Sequence, residues 1–292
     1  MRIRAMLVSA AVTLFTLGTL AEAATFHTAK TFSPKPGGTL KVEASFQDVK
    51  VEVVPGAAVE VTVDLKVSTW PQDSKEAMKA YEPVFEEKGD TILVRSKPGF
   101  GLSVGHSSAS GLIAVRMPPG MNLDLHTGSG DVAVGGDLAG KELTCGTGSG
   151  DVKIRLTAPA GAASIHTGSG DILFAGGASS FEGEAGSGDI TAEGLSGPAT
   201  FRSGSGDVKA AWASIGPGAK VKAHAGSGDI RLALPAATMI GGSLDTGSGD
   251  MHVDFPGTSS NHGRRWTFAG GSGAVDVSAE TGSGDLAVTK TK

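Results

Sequence analysis

Thr127-Gly128-Ser129-Gly130-Asp131-Val132-Ala133-Val134 is the stretch that decides how this chain folds. Its centre, Gly-Ser-Gly-Asp, occurs eight times, ending at Asp131, Asp151, Asp171, Asp189, Asp207, Asp229, Asp250 and Asp285. A degenerate copy runs Gly271-Ser272-Gly273-Ala274. Successive copies are 18 to 22 residues apart, except for an interval of 35 before the last. A motif recurring near every twentieth residue belongs to stacked, solenoid-type architectures.

Outward from the motif, apolar residues alternate with polar ones, the period of a strand with one buried face. One downstream column reads Val132, Val152, Ile172, Ile190, Val208, Ile230, Met251, Leu286, and the next Val134, Ile154, Phe174, Ala192, Ala210, Leu232, Val253, Val288. Upstream stand Leu125, Cys145, Ile165, Gly183, Phe201, Ala223, Leu244 and Ala279. No charge enters these columns. Each repeat therefore reads as strand, sharp bend, strand, return loop, the bend using backbone angles that glycine reaches cheaply. Two short strands cannot bury their own apolar face, but coils stacked about 4.8 Å apart build a continuous interior. The expected fold is all-β, a single-chain β-solenoid of about 20-residue coils. Antiparallel hairpins in a sandwich or barrel are the competing arrangement.

The rest of the chain divides around that repeat. Residues 24–70 continue the alternation as N-terminal β coils, with Asp48-Val49-Lys50-Val51 a worn copy of the motif. Residues 71–98 read as a helix plus hairpin insertion. Asp73 and Glu76 form a capping-box-like start, the helix runs Ser74 to Glu82, and strands near Val84 to Glu87 and Thr91 to Arg95 follow. This unit is placed near the N-terminal end as a cap. Residues 99–120 are a loop and a leading strand, Gly99 to Gly111 being a Gly/Ser-rich surface loop, and 121–292 form the repeat solenoid.

Residues 1–23 read as a secretory signal peptide. Arg2 and Arg4 precede the apolar run Ala5 to Leu20, and Ala21-Glu22-Ala23 is a small-x-small cleavage site. The mature chain then begins at Ala24, which offers no lipidated cysteine, and is exported to the periplasm, the cell surface or the extracellular space. Cys145 alone supports no internal disulfide framework. A net charge of −5 disfavours nucleic acid and anionic lipid as partners. No further segment is long and apolar enough to be read as a membrane span.

Several residue patterns invite chemistry. Gly128-Ser129-Gly130-Asp131-Val132-Ala133 fits a loose dinucleotide fingerprint, but leads into a strand instead of a helix whose N-terminus meets pyrophosphate. Stacked aspartates about 4.8 Å apart repel by about 1 kcal/mol in water, so something offsets them. Turn amides or the adjacent Ser hydroxyl would do so, and calcium between coils is the functional alternative. His126, His166 and His224 share an outward column, but the first two flank the coil of Gly146 at about 10 Å, too far for one metal. Glu182, Glu184, Asp189 and Glu193 are the densest acidic group and the place where a carbohydrate-active β-helix enzyme would work. Ser129, His126 and Asp131 lack a unique oriented base, and Cys145 lies in an inward column as a packing group. The threonines at 127, 147, 167, 246 and 281 read as a corner stack. Pro256 to Gly273 interrupts the repeat, and its Arg264, Arg265 and Trp266 are the candidate partner contacts.

Gly38-Thr39-Leu40-Lys41-Val42, the worn Asp48-Val49-Lys50-Val51, Met117-Pro118-Pro119-Gly120 and the serial Thr-Gly-Ser-Gly-Asp-Val strings carry a resemblance. The chain resembles the bacterial adhesin-type family of β-strand-repeat proteins, labelled a domain of unknown function, and is similar to head domains of autotransporter adhesins. The resemblance implies an envelope protein with a β-solenoid fold, no catalytic residues and no cofactor. The Pro256 to Gly273 insertion departs from the family pattern. The reading is an exported non-enzymatic protein whose faces bind an envelope or extracellular protein or glycan. A carbohydrate-active enzyme and a calcium-stabilised scaffold are the alternatives.

Overall fold

The computed structural model describes residues 23–70, 73–96 and 106–291. Residues 1–22, where the sequence reads as a signal peptide, and the segment 97–105 lie outside the described residues. The chain opens with β1 (Ala24–Phe32), β2 (Thr39–Glu43), β3 (Asp48–Val53) and β4 (Val59–Trp70). Next come α1 (Ser74–Met78), β5 (Pro83–Lys88), β6 (Thr91–Ser96) and β7 (His106–Met117). The regular repeats supply β8 (Asn122–Thr127), β9 (Val132–Asp137), β10 (Leu143–Thr147), β11 (Val152–Ala158), β12 (Ala160–Thr167) and β13 (Ile172–Ala175). They continue through β14 (Ala178–Ala185), β15 (Ile190–Leu195), β16 (Ala199–Ser203), β17 (Val208–Trp212), β18 (Lys220–Ala225) and β19 (Ile230–Pro235). The last stretch holds β20 (Ile240–Thr246), β21 (Met251–Val253), β22 (Gly257–Ser260), β23 (Arg265–Phe268), β24 (Val275–Thr281) and β25 (Leu286–Thr291).

The two strands flanking each Gly-Ser-Gly-Asp do not pair with each other. The upstream strand joins one sheet and the downstream strand the other, so each coil has two faces. Equivalent strands of successive coils pair in parallel and in register, Leu125 beside Cys145 beside Ile165 and Val132 beside Val152 beside Ile172. Parallel stacking thus prevails over the hairpin sandwich. The apolar columns meet between the sheets: Leu125, Cys145, Phe201, Val132, Ile154 and Phe174 are buried. Only the terminal coil bearing β21 leaves its column members, Met251 and Val253, half-buried. Glycine at position 183 leaves room that Phe181 fills, and Phe174, Phe181, Phe201 and Trp212 form a continuous aromatic run with centroid spacings of 5.0, 5.3 and 6.1 Å.

The stacking order departs from chain order at both ends. The coil β2–β3 lies between the coils β6–β7 and β8–β9, and the last coil, β24–β25, lies between β18–β19 and β20–β21. The last coil is therefore held by a neighbour on either side, which protects a terminal segment that otherwise frays, whereas β1 is an edge strand paired only with β4. This threading accounts for the interval of 35 residues before Asp285. The chain completes the outermost coil, crosses the end through β22 and β23, and returns to fill the gap it left. Gly271-Ser272-Gly273-Ala274 is consequently not a coil bend but the turn that leads into β24, closed by an Ala274 N–H to Gly271 carbonyl bond of 3.1 Å.

Antiparallel strands extend three of the four sheet ends. β4 and β1 follow β7 in one sheet, β5 follows β6 in the other, and β23 and β22 follow β20. Such additions end the stack on the short strands β5 and β22 at two of these places and on β1 at the third. α1 packs on β1 and β4, and Phe32 of β1 meets Phe85 of β5 at 6.2 Å, drawing the two sheets together. The helix stops at Met78, short of Glu82, because the chain turns there to set Tyr81 edge-on against Phe46 at 5.2 Å. Asp73 caps it by accepting from the Lys75 amide, whereas Glu76 pairs with Lys79 at 2.7 Å instead of returning to the cap. His106 to Gly111 is strand, not loop: β7 pairs with β4 from His106 through Arg116, and that ladder overrides the flexible Ser/Gly composition.

Candidate functional site

The bends form a ladder along one edge of the stack. Asp131 donates its amide to Asp48 Oδ1, Asp151 to Asp131 and Asp171 to Asp151, and the series continues through Asp189, Asp207, Asp229 and Asp285 to Asp250, at 2.8 to 3.0 Å throughout. Each carboxylate except that of Asp250 thus accepts from the next coil, not from its own turn or the adjacent Ser. A hydrogen bond to a charged acceptor contributes about 1.5–3 kcal/mol, which exceeds the repulsion of about 1 kcal/mol between neighbours. The amide of Asp171, and after it Lys153 at 3.0 Å, hold the Asp151 carboxyl below its ordinary range.

Behind the aspartates runs a buried hydroxyl ladder. Thr147 Oγ1 donates to the Gly130 carbonyl of one coil at 2.9 Å and accepts from the Gly150 amide of its own at 3.1 Å. Thr127, Thr167 and Ser203 make the same pair of bonds, and Thr246 and Thr281 donate equivalently. The corner stack is therefore interior. Backbone angles do not explain the motif glycines, none of which has positive φ. Space does: a β-carbon on Gly150 would overlap the Gly130 carbonyl, and the same holds from Gly148 to Gly284 along the stack. Stacked bends approach too closely for any side chain.

The acidic group expected around Glu182 does not converge on one place. Glu182 and Glu184 both bind Arg202 on the outer face of one sheet, Asp189 belongs to the ladder, and Glu193 lies on the other sheet. Cys145 is fully buried, and burial pushes its thiol well above the ordinary range.

Pro256 to Gly273 forms an antiparallel hairpin on the edge of β20, with Leu244 opposite Trp266. Its tip, Asn261–Gly263, is a 3₁₀ turn in which Asn261 and His262 both take positive φ. Alternation along β23 turns Trp266 and Phe268 inward and Arg265 outward. Trp266 is half-buried against the core and lies over Gly257, its indole N–H buried with no hydrogen-bond partner among the described residues. Arg265 reaches Asp245 at 3.5 Å, while Arg264 is exposed and in no ion pair among the described residues. Arg264, His262 and Trp266 share a depression with Asp250, Met251 and Asp285. Asp250 is the last rung of the ladder, with no further coil to donate to it. The structure thus brings Arg264 and Trp266 together, turns Arg265 to the side, and adds Asp250 and His262. Asp250 was visible in the sequence only as one of eight alike, because its terminal place follows from the threading.

A family model described as Toastrack DUF4097 matches residues 39–289, from β2 into β25. The chain belongs to the Toastrack DUF4097 family. That match takes in every coil of the Toastrack stack and the hairpin of β22 and β23. Among solved structures, the chain is similar to a candidate adhesin from Bacteroides fragilis, at 12% identity over 90% of this chain and 97% of that one, with a TM-score of 0.47. A candidate adhesin from Parabacteroides distasonis aligns at 13% identity over 90% and 97%, TM-score 0.46. A candidate lipid-binding protein from the same species aligns at 15% over 91% and 97%, TM-score 0.40. No curated protein matches the chain. Among the described residues, no helix of the Toastrack chain is long and apolar enough to cross a membrane.

Proposed function

We propose that this chain is an exported, non-catalytic binding rod that engages an envelope or extracellular protein or glycan through the end of its stack. The observation that carries the reading is the depression between the β22–β23 hairpin and the last bend. There the exposed Arg264, the indole of Trp266 and the terminal carboxylate of Asp250 line one surface. Arginine and tryptophan dominate contact energetics where they are presented together. Elsewhere the repeat's functional-looking groups are engaged within the stack, the aspartates by amides and the hydroxyls by carbonyls. The leader read in residues 1–23 supplies the export.

Arg264→Glu and Arg265→Glu test the reading, because both side chains are exposed and their loss leaves the hairpin ladder intact. On a panel of bacterial envelope glycans and purified envelope proteins, the unaltered chain binds a defined member. The double variant binds it at least about tenfold more weakly. Unchanged affinity in the folded double variant contradicts the reading.

A further inference from the structure

The outward row of the hydroxyl-side sheet reads, in stack order, Glu43, His126, Gly146, His166, Glu184, Arg202 and His224. His126 and His166 are two strands apart, and two spacings separate their backbones by about 9.6 Å. Their rings are far closer, with centroids 5.6 Å apart. Gly146 is the cause. With no side chain on the intervening coil, both imidazoles lean over its backbone into the same notch. The point where a β-carbon on Gly146 would stand lies 2.7 Å from His126 Nδ1 and nearer still to His166 Nε2. The separation expected from strand spacing alone is therefore corrected by the missing side chain.

The nitrogens that converge are the ones suited to ligation. His126 Nε2 lies 2.8 Å from Asp124 Oδ1, so a proton carried on Nε2 would face the carboxylate and leave Nδ1 as the nitrogen turned to the notch. A carboxylate behind an imidazole is the arrangement that orients metal-binding histidines. Lys41 holds the other Asp124 oxygen at 2.9 Å, which fixes the carboxylate in turn. An ion held at metal–imidazole bonds of about 2.0–2.1 Å would stand further from the Gly146 backbone than that β-carbon point, between the two nitrogens. Glu43 flanks His126 and Glu184 flanks His166, giving the notch acidic neighbours along the row. Among the described residues no three ligand-type side chains converge, so solvent completes the shell.

We propose that His126 and His166 chelate a late first-row transition-metal ion of the Zn²⁺, Ni²⁺ or Cu²⁺ class above Gly146. Two neutral imidazoles with water match the nitrogen preference of these ions over hard Ca²⁺ or Mg²⁺.

Cu²⁺ is the probe, titrated into the full, untagged chain by calorimetry and followed by nitrogen hyperfine splitting in electron paramagnetic resonance. The unaltered chain binds one ion tightly with two-nitrogen coordination. His126→Ala and His166→Ala each weaken that binding about tenfold or more and leave one nitrogen. Gly146→Ala, which keeps both histidines but fills the notch, weakens it comparably, and His224→Ala leaves it unchanged. Metal-free melting confirms the fold of each variant; should Gly146→Ala unfold, the two histidine variants decide. Unchanged affinity in either of those variants, or a one-nitrogen signal in the unaltered chain, overturns the proposal.

Discussion

The aspartates owe their tolerance of one another to direction. Each carboxylate short of the last rung faces the amide of the next coil, and at Asp151 that amide, with Lys153 behind it, lowers the carboxyl below the ordinary aspartate value of 3.8. A carboxyl depressed in the folded state stabilises the fold above its unfolded value and loses that contribution as pH falls through the folded one. Asp151→Asn therefore melts below the unaltered chain at neutral pH. The gap persists down to about pH 4 and closes below it. Thermal melting across pH checks this, and a gap that persists unchanged in strong acid contradicts it. The motif identified these residues, yet their partner lay beyond its reach, since the donating amide comes from 18 to 56 residues away.

The hydroxyl behind a bend ties that bend to the coil beneath it. Thr147 joins the Gly130 carbonyl to the Gly150 amide inside the stack, and Thr147→Val strips both of their partner. Leaving such buried groups unmet costs about 2 kcal/mol, which in a chain of this size lowers Tm by about 5 °C. The column falls to alanine at Ala185 and Ala225, both buried. Ser203, one coil along, shows that a serine hydroxyl spans the same gap. Ala185→Ser therefore gains about 1 kcal/mol and raises Tm by about 2–4 °C. Differential scanning calorimetry of the two variants checks both signs, and equal Tm values in both would remove the hydroxyl ladder from the account. The alternation of Val132 with Val134, or Val152 with Ile154, was enough to read the strands, because a two-residue period directly reports a buried face. The function of glycine was not readable: the sequence is equally consistent with unusual backbone angles and with crowding, and only the carbonyl of the coil beneath distinguishes them.

Ten coils at about 4.8 Å make a rod about 43 Å long, flattened into two sheets and closed at three of its four sheet ends by antiparallel strands. The repeat period made the stacking legible, and the interruption before Asp285 marked where it changes. What the period could not carry was order, because identical motifs pair equally well with any copy. The return of β24 and β25 into the penultimate place depends on the length of the hairpin that crosses the end, a property of the Pro256 to Gly273 stretch and not of the repeat. The candidate contact surface was legible to the same degree: Arg264 and Trp266 stood out as residues, while their meeting with Asp250 follows from the threading.

That threading is tested most directly by disulfide trapping across one outward row. Ser278 stands beside Lys222 on one side and Ser243 on the other. Neighbouring strands at about 4.8 Å lie within disulfide reach, and strands two apart do not. Paired cysteines at 222 and 278, and at 243 and 278, should cross-link under mild oxidation, while the pair at 222 and 243 stays reduced. Rapid cross-linking of 222 to 243, with 222 to 278 left reduced, would show coils stacked in simple chain order and contradict the architecture described above.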